Sequence, residues 1–201
     1  MRPLALCVLL LLAQIPALRA DIGKEAEQHG DIDIGVVLDP SAQSGRASAT
    51  VRIRARREIV WTLATSCEES LKIVPGLITC QVLETASDGT WQRIRQVIGY
   101  WYLPKISYEL RATYDHPERV SIERISGDLR MLKGSWYFEE DGEFTIAHYS
   151  LELAPGFWVP HWLVRVALRH DLPRLLSALR ARAESVQKAA LCRDSRDRCA
   201  G

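Results

Sequence analysis

Most of the chain beyond residue 76 consists of short strand-like segments separated by turn signals, followed by a single long helix. Asp88-Gly89, Gly127-Asp128 and Asp141-Gly142 mark three of the turns, and such pairs favour tight hairpins. Turns at this spacing are typical of an antiparallel meander, here of about seven strands. The sequence therefore predicts an α+β fold in which an antiparallel sheet precedes a long C-terminal helix.

The segment ISYELRATY shows which strand face is buried. Its apolar and aromatic residues fall on every second position, and polar residues fill the positions between. That alternation is typical of a half-buried strand. The inward positions are Ile106, Tyr108, Leu110, Ala112 and Tyr114.

Two short helices are predicted between the first strand and the rest of the sheet. ASATVRIRA, which begins at Ala47, alternates like a strand, whereas the stretch from Arg57 to Ile73 has helical spacing. Pro75 and Gly76 end the second helix.

The long helix is predicted over about residues 160 to 188, with an apolar stripe that includes Leu163, Val166 and Leu179. Pro173 lies inside it. Proline removes a backbone donor and clashes with the preceding turn. We therefore expect a kink, or a break at which Asp171 caps a second segment.

Length and charge limit the possible functions. A chain of 201 residues suits one well-buried domain better than two. Lysine and arginine number 26 against 25 aspartates and glutamates, so no overall charge attracts nucleic acid. We expect no nucleic-acid partner.

Residues 1–20 have the pattern of a secretory signal peptide. Arg2 precedes an apolar run, and Pro16 and Ala20 suit a processing site. The apolar run is too short to cross a bilayer, which takes about 20 residues. We expect cleavage near Ala20 and an exported protein, periplasmic or secreted; an uncleaved anchor is the alternative.

The remainder divides into three parts. Residues 21–46 are polar and rich in glycine, so we expect an N-terminal arm or linker. Residues 47–190 form the predicted domain, and residues 191–201 form a polar tail that contains cysteine.

Four cysteines remain after cleavage: Cys67, Cys80, Cys192 and Cys199. Thiols of exported proteins are commonly oxidised. Four cysteines allow three connectivities, and proximity favours Cys67 with Cys80 and Cys192 with Cys199. The spacings are not those of a zinc site, so we expect disulfides and no metal.

Several stretches resemble one known superfamily. REIVWTLAT resembles the start of the first helix of START or helix-grip (SRPBCC) proteins, and IVPGL resembles the end of their second helix. SGDLRMLKGSWYFEEDGEFTIAHYSLELAP resembles their last two strands, and PGFWVPHWLVR the entry to the long helix. The resemblance covers about residues 47 to 185. The bacterial coenzyme Q-binding and polyketide cyclase-like branch is the most similar.

The resemblance implies a curved sheet wrapped around the C-terminal helix, with a cavity between them for a hydrophobic small molecule, a lipid or an isoprenoid quinone. Aromatic rings with polar tips suit a ligand that carries one or two oxygens. A solid core is the alternative. The cavity candidates are Tyr108, Tyr114, Arg124, Trp136, Tyr149, Leu151, Leu163 and Val166.

Polar residues at inward positions indicate which chemical groups the ligand carries. In WQRIRQVI, either Arg93 and Arg95 or Gln92 and Gln96 must point inward, because both faces of the strand are polar. Arg124 shares a face with apolar neighbours. A buried arginine needs a partner, which a carboxylate or a ligand oxygen could supply.

The entry to the long helix is rich in aromatic residues. Phe157, Trp158 and Trp162 lie near Arg165 at the expected mouth of the cavity. Aromatic rings beside basic residues suit transient contact with an anionic membrane surface. Ordinary packing of helix against sheet is the alternative.

No catalytic or cofactor fingerprint occurs in the chain. We therefore expect no cofactor and assign no catalytic residue. Binding and transport or sequestration of a hydrophobic molecule is the favoured function. The alternatives are a polyketide cyclase/dehydrase-like enzyme that uses tyrosine and arginine in the cavity, and a ligand-free interaction module.

Overall fold

The computed structural model describes residues 25–29, 32–39, 41, 43–101 and 103–199. The expected signal peptide, residues 1–20, lies outside the described residues. The strands are β1 Glu25–His29, β2 Ile32–Asp39, β3 Ser44–Ile53, β4 Leu77–Thr85, β5 Trp91–Tyr100, β6 Leu103–Asp115, β7 Arg119–Gly127, β8 Leu129–Asp141 and β9 Phe144–Pro155. The helices are α1 Arg57–Thr65, α2 Cys67–Ile73, α3 His161–Val166, a π-helical turn Ala167–Asp171, and α4 Leu172–Cys199.

Within the described residues, the nine strands form one antiparallel sheet in the order β1-β2-β3-β9-β8-β7-β6-β5-β4. The two helices after the first predicted strand and the long C-terminal helix lie where the sequence places them. The predicted α+β helix-grip fold is therefore confirmed.

Two strands more than predicted come from the N-terminal arm. Ile32, Ile34 and Val36 of β2 are buried, and β2 pairs with β3 along its length. Ile32–Asp39 of the expected arm is thus a regular strand of the sheet. Asp33 and Gly35 fill the outward positions of the strand, so residues typical of turns concealed a regular alternation.

The C-terminal helix buries one stripe, Leu168, Leu172, Leu176, Leu179 and Ala183. It packs over β3, and Gly45 permits the approach because a Cβ there would lie 2.5 Å from Leu168 Cδ1. The expected break does not occur. A π-helical turn precedes Pro173, and the wider hydrogen-bond spacing carries the helix past the proline. Asp171 accepts a hydrogen bond from Tyr100 instead of capping a second segment.

Helix α2 is fixed to the sheet and to α4. Cys67 and Cys80 form the predicted disulfide bond, with their Cα atoms 5.3 Å apart; closing a loop of this length stabilises a fold by roughly 3 kcal/mol. Glu69 binds Arg182 of α4. The Arg182 guanidinium, together with Lys72, lowers the pKa of Glu69 to about 2.

The C-terminal tail does not form a separate loop, since α4 continues through Cys199. The pairing of Cys192 with Cys199 stays a prediction, because the side chain of Cys199 lies outside the described residues. Among the described helices, none has the length and apolar character needed to span a membrane.

Candidate functional site

The sheet face that carries α1 and α4, here called the inner face, has a fully covered half. Its residues are buried beneath α1: Val51, Ile53, Phe138, Thr145 and Ala147. The Trp61 ring of α1 contacts the Phe138 ring edge-on at 6.0 Å. The Thr145 hydroxyl donates to the Ala55 carbonyl at 2.7 Å. This half is a conventional packed core.

The other half of the inner face, here called the open half, is apolar but not fully covered. Its side chains occupy inward positions in the strand register, pack against the core and yet stay partly accessible. They are Ile98, Ile106, Ile122, Leu132, Leu151 and Leu153. Apolar surface left accessible inside a fold is what a hydrophobic ligand covers.

Three tyrosines point from the inner face, and two of them have partners. The Tyr108 hydroxyl donates to Gln96 Oε1 at 2.8 Å, and the Tyr114 hydroxyl donates to Gln92 Oε1 at 2.8 Å. Both pKa values are raised by burial, that of Tyr114 to about 12. These bonds also show that the glutamines of β5 point inward.

The arginines of β5 consequently point outward, where both bind Glu109. The tyrosine hydroxyls of β6 therefore decide which face of β5 points inward. Inward glutamines bring amide groups, and no charge, to the inner face.

Tyr149 lies where the covered half meets the open half. Its ring centroid is 4.3 Å from that of Trp136, and burial raises the pKa of its hydroxyl. Among the described residues, no group hydrogen-bonds this hydroxyl. A half-buried phenol that stays protonated and has no partner among the described residues is a donor available to a ligand oxygen.

Arg124 is a cationic residue at an inward position of the open half. It pairs with Leu110 across β6 and β7, so its side chain shares the inner face with Ile122, as the sequence predicts. Its Nη2 donates to the Gly127 carbonyl at 3.1 Å, while its Nε is buried without a hydrogen-bond partner.

The rim of the open half carries exposed tryptophans. Trp158 is 74% exposed and Trp162 61% exposed, while Phe157 packs against the core and Arg165 is exposed. Trp101, in the β5–β6 turn, is 95% exposed.

Strands β5 and β9 run in the same direction in the antiparallel sheet, so both end on the same side of it. Trp101 follows β5 and therefore belongs to the same rim. The neighbouring Tyr100 hydroxyl donates to Asp171 Oδ2 at 2.5 Å and so ties the turn to the helix. Sequence reasoning missed Trp101, since a single apolar residue in a turn has no periodicity. Gly99, which signals a turn two residues before Trp101, was the available clue in the sequence.

Comparison with known proteins agrees with this architecture. Residues 53–180 match the model of the family described as polyketide cyclase / dehydrase and lipid transport. The chain belongs to this family. The match confirms the resemblance to START or helix-grip proteins, whereas the coenzyme Q-binding branch stays a prediction. No curated protein sequence matches the chain.

Solved structures extend the comparison to the fold. A STAR-related lipid transfer protein from Xanthomonas axonopodis has a TM-score of 0.67 at 16% identity, covering 78% of this chain and 96% of that one. The lipid transfer and protein localization domain of human StarD13 has a TM-score of 0.63 at 13% identity, covering 80% and 89%. The Zhui aromatase/cyclase from Streptomyces sp. R1128 has a TM-score of 0.61 at 15% identity, covering 70% and 94%. At these identities the likeness establishes the fold alone.

The remaining predicted site residues of this polyketide cyclase and lipid transport family member fall in different places. Trp136 is buried beside Tyr149, and Leu163 is half-buried. Val166 is 42% exposed, and its assignment to the cavity stays a prediction. Val164 and Leu168 take the inward positions instead, because apolar residues occupy both faces of this helical segment.

Two open grooves lie on the outer face of the sheet, away from the helix. One, of about 750 Å³, includes Ser48 and His148; the other, of about 400 Å³, includes Lys133 and Glu152. Ser135 and Ser150 belong to both. Both grooves have a mixed polar and apolar lining and are open to solvent, whereas the inward positions of the open half carry aliphatic side chains.

Proposed function

We propose that the protein binds a hydrophobic small molecule or lipid on the open half of the inner face, beneath the C-terminal helix. The observation that carries the proposal is the set of inward, partly accessible isoleucines and leucines that ends at the Tyr149 hydroxyl, which no described residue hydrogen-bonds. A ligand with an apolar body and one oxygen acceptor satisfies both features. Isoprenoid quinones have this character, and so do many lipids.

Binding fits the inner face better than catalysis does. The cyclase alternative needs a group that removes a proton. Among the described residues, the inward positions of the open half hold no aspartate, glutamate or histidine. His148 lies on the outer face, where it contacts Tyr137. We therefore propose a carrier or sequestering protein, exported after cleavage of its signal peptide.

Replacing Tyr149 with phenylalanine tests the polar end of this site. The change keeps the ring and removes the donor, so an oxygen-bearing ligand should bind about tenfold more weakly. Native mass spectrometry of protein purified from its own compartment identifies the co-purifying molecule, and its dissociation constant is then measured for both proteins.

Tyr114→Phe is the matched control, because that hydroxyl already bonds Gln92 and should affect ligand affinity little. Equal losses in both variants would show that Tyr149 has no special role. Recovery of protein without any bound lipid would count against the carrier function itself.

We further propose that the tryptophan rim contacts the membrane from which the ligand comes. Trp101, Trp158 and Trp162 are exposed at the edge where the open half meets solvent, and Arg165 supplies positive charge. Interfacial tryptophans and basic residues together favour binding to anionic bilayers.

Flotation with liposomes of phosphatidylcholine and phosphatidylglycerol measures this contact. Wild-type protein should float with the anionic liposomes, and Trp158→Ala should reduce the bound fraction severalfold because a large interfacial ring is lost. Tyr137→Ala, which removes a partly exposed ring from the outer face, is the control and should bind like wild type. Absent binding, or a bound fraction that Trp158→Ala leaves unchanged, would contradict the proposal.

A further inference from the structure

Within the part of the chain that the structure describes, three arginines have a buried Nε without a hydrogen-bond partner: Arg57, Arg93 and Arg124. The first two still have carboxylates nearby. Arg57 lies 3.4 Å from Glu140, and Arg93 lies 3.9 Å from Glu109. For Arg124, no carboxylate of the described residues lies within the 4.0 Å of an ion pair. Arg124 thus has a buried nitrogen and no counter-ion among the described residues.

The surroundings of Arg124 make the missing counter-ion significant. Its cross-strand partner on the inner face is Leu110, and the next inward residue on its own strand is Ile122. Its protein hydrogen bond is to the neutral carbonyl of Gly127. A half-buried cation among aliphatic side chains is stabilised when an anion accompanies it.

We infer that Arg124 binds the anionic group of an amphiphilic ligand, either a carboxylate or a phosphate. The planar guanidinium offers paired donors that match both groups. This inference rests on the proposed function and adds the charge of the ligand to it.

The strand register sets the orientation of such a ligand. Val120 of β7 lies in one cross-strand row with Trp136 and Tyr149, and Arg124 lies four residues further along β7. Four residues along and two strands across give a Cα separation of roughly 16 Å. The apolar body of the ligand therefore lies along the open half between the two residues. Its anionic group is at Arg124, and the Tyr149 hydroxyl faces its far end.

Equilibrium dialysis with oleate, oleyl phosphate and oleyl alcohol tests the charge preference, since the three probes share one chain and differ in the head group. Wild-type protein should bind at least one anionic probe about tenfold to a hundredfold more tightly than the alcohol. Arg124→Gln should abolish that preference and leave the affinity for the alcohol unchanged. The stronger of the two anionic probes identifies the head group.

Arg119→Gln is the matched control. It removes the same charge from the same strand, but its side chain lies on the outer face over Tyr137, so the preference should persist. Arg124→Lys keeps the charge without the planar fork and should retain part of the preference, which provides a second test if the glutamine variant does not fold. Equal affinity of wild type for all three probes would overturn the role of Arg124 and leave the proposed function standing. Failure to bind any probe would overturn both.

Discussion

Replacing Phe138 with alanine is expected to lower the free energy of unfolding by about 3–5 kcal/mol. Phe138 is fully buried in the covered half of the inner face. Its ring stacks on Trp136 at 5.8 Å and contacts Trp61 at 6.0 Å. The truncation leaves a cavity between β8 and α1 that neither strand nor helix can close. Urea denaturation followed by circular dichroism measures the loss.

Phe144→Ala is the control for this prediction. Phe144 is only half-buried, and its ring lies under the Arg52 guanidinium at 3.7 Å on the outer face. Its removal should cost less than half as much, because solvent fills the vacated space. Similar losses in the two variants would mean that the covered half is not the packed core of the protein.

The packing around Phe138 also bears on the site. Trp136 lies between Phe138 and Tyr149, so the covered half holds the ring that positions the Tyr149 hydroxyl. A destabilised Phe138 variant should therefore also bind ligand more weakly, although Phe138 itself lies outside the open half. Stability and binding are coupled through one row of stacked rings.

The sequence predicted the orientation of side chains best where one face of a strand is uniformly apolar. The alternation of β6 placed Tyr108 and Tyr114 on the inner face, and both lie there. The inward face of β5 could not be assigned in the same way. Both faces of this strand are polar, so which one points inward depends on its register with β6. The pairing of Gln96 with Tyr108 decides it, and that pairing is a property of two strands together.

Other differences have equally local causes. Val166 was placed inward because Leu163 and Val166 have helical spacing, but Val164 and Leu168 have it too, and spacing alone does not choose between two apolar faces. Strand β2 escaped notice because Asp33 and Gly35 resemble turn residues. The lack of a counter-ion at Arg124 depends on every carboxylate near it in space, which no local pattern contains.

The second large effect is expected at Gly127, the last residue of β7. Its φ is +104°, a conformation that strongly favours glycine. A Cβ there would lie 2.3 Å from the Ser107 carbonyl oxygen and 2.5 Å from Tyr108 Cα. Both are backbone atoms of β6 and cannot rotate away. Gly127→Ala should therefore lower the free energy of unfolding by more than about 3 kcal/mol, as measured by urea denaturation.

Gly142→Ala separates the two causes of that loss. Gly142 also has a positive φ, +61°, but a Cβ there would meet no atom within 4 Å. In this variant the free energy of unfolding should fall only by the cost of placing alanine in the left-handed backbone conformation, about 1–2 kcal/mol. A loss at Gly127 no larger than the loss at Gly142 would show that β6 yields to the added methyl group.

Because the Gly127 carbonyl accepts the Arg124 hydrogen bond, folded Gly127→Ala protein should also show a weaker preference for anionic probes, with little change for oleyl alcohol. The end of β7 would then contribute to both the stability of the sheet and the placement of the charge that recognises the ligand.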